Sequence, residues 1–126
     1  MSNVDTARSA HEAFSRGDLG ALKESYTEDA VWYSSDQLRP GGEVRGRDAI
    51  IEMMGQLPDH WTTVSVEPSH YIDGGEYVVV LGTVRFANDN GSEESPFVNV
   101  LRFNHDGKVV RGEMHTDSAK FAKLQR

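Results

Sequence analysis

The chain has no cysteine, so no disulfide and no thiolate-held metal contributes to its fold or chemistry. No apolar run approaches the ~20 residues needed to cross a bilayer, so no membrane partner is expected. Basic residues are scarce: 13 Lys and Arg stand against 20 Asp and Glu, a net charge of −7. A surface that negative repels phosphate backbones, so nucleic acid is not an expected partner. The opening MSNVDTARSAHEAF lacks a basic region followed by an apolar run and does not read as a secretory signal. Together with the absent cysteines this leads us to expect a cytoplasmic protein. Repeats, low-complexity runs and linkers are also missing. The 126 residues are expected to form one domain, 1–126, large enough for its own core.

What is present is a change of periodicity. Val4, Ala7, His11 and Phe14 share one helical face, and Gly17 can end that helix in a left-handed conformation. A short second helix has Leu19, Leu22 and Tyr26 on its buried side. Residues 30–33 read as a strand, and Ser34 to Gly46 as a loop. A third helix is expected over 47–57, halted by Pro58. From Trp61 onward four strands are expected, over 61–72, 76–87, 95–104 and 108–116, joined by turns at Asp73-Gly74-Gly75, Asn88 to Gly91 and His105-Asp106-Gly107. Asp117 can cap a short closing helix with Phe121 and Leu124 packed down. Helices gathered on one face of such strands predict an α+β fold: a strongly bent mixed or antiparallel sheet, closed as a cone-shaped barrel, with three N-terminal helices enclosing a pocket.

Strand alternation then nominates the wall of that pocket. The expected inward residues are Leu81, Thr83 and Arg85 on one strand, Phe97, Asn99, Leu101 and Phe103 on the next, and Gly112, Met114 and Thr116 on the last. Trp32 and Ser34 share a face of the first strand. Asn99 stands out as a carboxamide on an otherwise apolar strand face, where it either ties the core together or grips a ligand. Glu113 and His115 alternate outward and are expected as a hydrogen-bonded surface pair rather than a metal site; no metal is expected. Outward Val98, Val100 and Val109 are apolar enough to bury.

Three segments carry a resemblance: RGDLGALKESYTEDAVWYSS, EVRGRDAIIEMM and VNVLRFNHDGKVV. Together they resemble the nuclear transport factor 2-like superfamily, in its ketosteroid isomerase and SnoaL-type polyketide cyclase branch, over nearly the whole chain. The resemblance implies a pocketed domain that dimerises through its outer sheet face. It places Asn99 where the isomerases hold an enolate oxygen with a protonated aspartate, Ala10 where they carry a tyrosine, and Ser34 where they carry the general base. An amide can still donate to an oxygen, but a lone serine is not a base. Standard steroid isomerase chemistry is therefore not expected. Leu81, Thr83 and Met114 fall where related epoxide hydrolases place Asp-Arg-Asp, so that chemistry is not expected either.

His11 lies one residue from the missing tyrosine and titrates near neutrality, and Asp36 is the carboxylate nearest the missing base. The sequence therefore nominates Asn99, His11 and Asp36 as catalytic. Trp32, Ser34, Thr83, Arg85, Phe97, Leu101, Met114 and Thr116 are nominated as substrate-binding. The expected function is a cofactor-free isomerase, lyase or cyclase acting on a small hydrophobic carbonyl compound. The alternative is a non-catalytic ligand-binding or dimeric assembly domain of the same fold.

Overall fold

The computed structural model describes residues 2–126. Helix α1 spans Asn3–Arg16. Ser2 caps it by accepting from the Asp5 amide, while the Asp5 carboxylate accepts from the Ser2 amide, so two of the free N–H groups of the first turn are satisfied. Gly17, at φ 72°, ends it. The buried face is made of Thr6, Ala7, Ala10 and Ala13, small residues that let the helix lie close over the sheet. Helix α2 is a single turn, Leu19–Lys23, capped by Asp18. Strands β1 (Tyr26–Ser34) and β2 (Gly42–Arg45) follow, then α3 (Arg47–Gly55) and the one-turn α4 (Leu57–His60). Strands β3 (Thr63–Gly74), β4 (Tyr77–Asn88), β5 (Gly91–Phe103) and β6 (Val109–Thr116) complete the sheet. Helix α5 (Ser118–Ala122) and a 3₁₀ turn (Lys123–Gln125) close the chain.

The six strands form one sheet in the order β2-β1-β6-β5-β4-β3. Only β1 and β6 run parallel; every other neighbour is antiparallel. The expected closed barrel is corrected by this order. The sheet is open, with β2 and β3 as its two edges, and no pairing joins them among the described residues. The helices are also arranged differently from the three N-terminal ones expected. Two precede the first strand, and α3 and α4 lie between β2 and β3. Pro58 does not simply stop the third helix; it sits in the first turn of α4, where its missing N–H costs nothing. Residues 42–45, expected within a loop, pair with β1 as a short edge strand.

Bulges interrupt β1/β6 after Tyr26, β3/β4 at Ser69 and β5/β6 near Val110, and such extra residues bend the strands that carry them. Two glycines let aromatic rings lie against the sheet. A Cβ on Gly82 would collide with the Glu67 carbonyl oxygen and meet the Phe97 ring at 2.6 Å. A Cβ on Gly112 would meet the Trp32 ring at 2.5 Å.

On β4 the side facing the helices is opposite to the one expected. Val78, Val80 and Val84 are fully buried there, whereas Arg85 is exposed and Leu81 and Thr83 alternate outward with it. Thr83 and Arg85 are therefore removed from the pocket wall. The strand is apolar on both sides from Val78 to Leu81, so alternation has no contrast to read. Val109, expected outward, is also corrected. The bulge between Arg102 and Phe103 turns it inward, where it is 1% exposed. The outer face keeps Ile72, Tyr77 and Val98 substantially exposed.

Candidate functional site

Between the helices and the inner sheet face lies a cavity of about 120 Å³. Phe14 comes from α1, Met53 and Met54 from α3, Leu57 from α4, and Leu38 and Pro40 from the loop after β1. Strands β1, β3, β4, β5 and β6 all contribute to the remaining wall. None of the lining residues is Asp, Glu, Lys or Arg.

The polar centre is built from α1, β5 and β6. Asn99 is 2% exposed and borders the cavity. Its Nδ2 donates to the Glu113 carbonyl at 2.9 Å, across the β5/β6 pairing. A carbonyl only accepts, so this bond sets the amide orientation and turns Oδ1 towards His11. His11 Nε2 lies 2.9 Å from that oxygen and must carry the proton that it donates. In the neutral ring, Nδ1 is then a free lone pair. Burial pushes the His11 imidazole below its ordinary range, and the Asn99 bond, which favours the charged form, offsets part of this. The ring is packed between Phe97, stacked at 6.2 Å and 18°, and the edge of Tyr71 at 6.0 Å. Arg8 covers the Tyr71 ring at 4.3 Å, on the side of the helix turned to solvent.

The structure thus brings together His11, Asn99, Trp32, Ser34, Leu101, Met114 and Thr116 around one cavity. Phe97 lies behind it, fully buried under the His11 ring. Ser34, Met114 and Asn99 fall at the same level of neighbouring strands, since Tyr33 is opposite Glu113 and Asn99 opposite Met114. Asp36 does not join them: it is exposed in the loop after β1 and is absent from the cavity wall. Arg85 instead binds Ser92 Oγ at 3.1 Å on the outer face. Glu113 and His115 form an exposed hydrogen-bonded pair at 2.8 Å. Arg111 reaches the same carboxylate at 3.0 Å, and both partners hold it below its ordinary range. Among the described residues no three His, Asp or Glu side chains gather as a metal set.

Tyr26 is the residue that sequence reasoning missed. It opens β1 rather than closing a helix, and its side chain is buried in the cavity wall. The signal was available in the alternation: Tyr26, Ala30, Trp32 and Ser34 have one parity, and β1 simply begins four residues earlier than expected. Trp61, also in the wall, stacks on Phe86 at 5.0 Å.

An open, bulged α+β sheet with helices over a pocket is the architecture of the nuclear transport factor 2-like class. A family model described as the SnoaL-like domain matches residues 7–112, and the chain belongs to that family. It is similar to an NTF2-like protein of unknown function from Burkholderia pseudomallei K96243, at 36% identity over 99% of this chain and 98% of that one, with a TM-score of 0.89. A putative SnoaL-like polyketide cyclase from Jannaschia sp. CCS1 is 18% identical over 98% and 90%, with a TM-score of 0.82. TerC, crystallised with polyporic acid, is 24% identical over 97% and 96%, with a TM-score of 0.86. No curated protein matches the chain.

Proposed function

We propose that this protein is a cofactor-free isomerase, lyase or cyclase that moves a proton on a small hydrophobic carbonyl compound, with His11 as the base. The observation that carries this reading is the His11–Asn99–Glu113 chain of hydrogen bonds. It leaves Nδ1 unprotonated in a wall without carboxylates or other charged side chains, and burial keeps the ring neutral near pH 7. A proton leaving the carbon next to the carbonyl passes to Nδ1, and the electron pair moves onto the carbonyl oxygen. The Ser34 and Thr116 hydroxyls and the second hydrogen of the Asn99 amide are the donors that can meet that oxygen. The imidazolium then returns the proton to another carbon. In this scheme Asn99 keeps a share of the expected oxyanion role and also positions His11, and Asp36 takes no part.

The test is hydrogen–deuterium exchange beside the carbonyl of a panel of ketones in D₂O, followed by proton NMR. Exchange faster than in buffer that falls at least ~10²-fold in His11→Gln supports the reading. Undiminished exchange in that variant overturns it.

A non-catalytic binding domain is the second reading, favoured by the absence of any carboxylate in the wall. TerC, the relative crystallised with polyporic acid, is consistent with either. It predicts ligand retention without exchange. In both readings we propose a homodimer through the outer face, where Val98 is 38% and Ile72 47% exposed with Val100 alongside. A cytoplasmic location belongs to the same proposal.

A further inference from the structure

We infer that Tyr26 is a second anchoring residue of this cavity, recognising an acceptor oxygen at the end of an uncharged ligand remote from His11. The inference rests on the pocket reading above but not on proton transfer. Tyr26 is 4% exposed and lines the cavity, yet its hydroxyl has no hydrogen-bond partner among the described residues. The sole side-chain nitrogen or oxygen there that is both sealed from solvent and partnerless is Arg47 Nε. The Tyr26 hydroxyl is therefore partnerless without being sealed, on a side chain that lines the cavity. A buried hydroxyl is almost always bonded to something, so a partnerless one facing a cavity marks where a ligand atom or water belongs.

The place is distinct from the His11 end. Tyr26 pairs with Val109 at the start of β6, whereas Asn99 pairs with Met114, five residues further along. The bulge near Val110 takes up one of the five, and four residues at ~3.3 Å each put those backbone positions about 13 Å apart. The ligand that fits both ends is elongated and apolar, with acceptor oxygen at the Tyr26 end. It carries no charge, because the wall has no charged side chain to pair with one. The walls between are aromatic and thioether surfaces, Trp32, Trp61, Phe86 and Met54 among them, suited to a flat ring system.

Three probes of one skeleton test this: 2-acetylnaphthalene, 2-ethylnaphthalene and 2-naphthoate. The protein has two tryptophans, both in the cavity wall, so titrations can be read from two indole N–H signals by ¹⁵N–¹H NMR. The ketone should bind about tenfold more tightly than the hydrocarbon, and the carboxylate most weakly. Tyr26→Phe should abolish the ketone's advantage while leaving hydrocarbon binding and the urea unfolding midpoint unchanged. An undiminished ketone preference in Tyr26→Phe, or tightest binding by the carboxylate, would overturn the inference while leaving the His11 reading intact. A large drop in stability would also overturn it, by assigning the hydroxyl a structural role. Failure of all three probes to bind wild-type protein would overturn both the pocket reading and this inference.

Discussion

The two faces of the sheet both carry valines but differ in charge, and they have been put to different uses. Inside, Val78, Val80 and Val84 are buried, and Asn99 is held between one acceptor and one donor, the Glu113 carbonyl and the His11 ring. Outside, Val98 and Ile72 are uncovered in the single protomer, and charge is pooled: Glu113 accepts from both Arg111 and His115, and Glu43 reaches Arg111 at 3.6 Å. An inner polar group has a single geometry available, so it can hold a tautomer. An outer one shares its partners with solvent and holds little.

That contrast is broken most severely at the bare positions of the inner face. Gly82→Val would force a branched side chain into the Glu67 carbonyl and the Phe97 ring, and should cost about 3 kcal/mol or more. Thr83→Val, one residue on and facing out, should stay within about 0.5 kcal/mol. Urea denaturation of the pair measures both, and equal losses would remove the distinction between the faces.

Next in size is Asn99→Ala. It removes a donor from the Glu113 carbonyl and leaves the buried His11 Nε2–H without its partner, and should cost about 2–3 kcal/mol. The same variant should free the His11 tautomer, read from the ring ¹⁵N shifts. Retention of the Nε2–H form would show that Asn99 does not set it.

The faces should also part company with pH. His11 is held low in the folded state, so the unfolded chain binds the extra proton. Stability should fall as pH drops below about 6.5 and level off beneath the folded value. His11→Phe should flatten that segment of the curve. Glu113 is also held low, but as a carboxylate its contribution is complete above about 4.5 and is lost below that. A wild-type curve flat from pH 7 down to 5 would contradict the burial of His11.

The smallest effect on the folded protomer should come from Val98→Lys on the outer face, within about 0.5 kcal/mol. Its readout is the mass in solution: sedimentation should shift from dimer to monomer. An unchanged dimer would place the interface elsewhere.

Legibility in the sequence followed the same division. From Phe97 to Phe103 the largest apolar side chains, Phe97, Leu101 and Phe103, share one parity, so the inner set is plain and Asn99 stands out within it. Where both faces are apolar, as from Val78 to Leu81, parity carries no information and the assignment slipped by one residue. Short-range signals also failed at β2, whose four residues lie in a Gly-rich stretch and become a strand through pairing with β1. The turn glycines and the place of His11 on α1 are local and readable. Asp36 was nominated by nearness in sequence, which says nothing of where a loop residue points. Tyr26 was hidden by a helix boundary set a turn too late.

One residue belongs to both faces. The backbone carbonyl of Glu113 holds the Asn99 amide on the inside, while its carboxylate gathers Arg111 and His115 on the outside. Because the inner contact is made by backbone and the outer ones by side chain, a replacement at 113 can dismantle the outer charge cluster while leaving the Asn99 anchor in place.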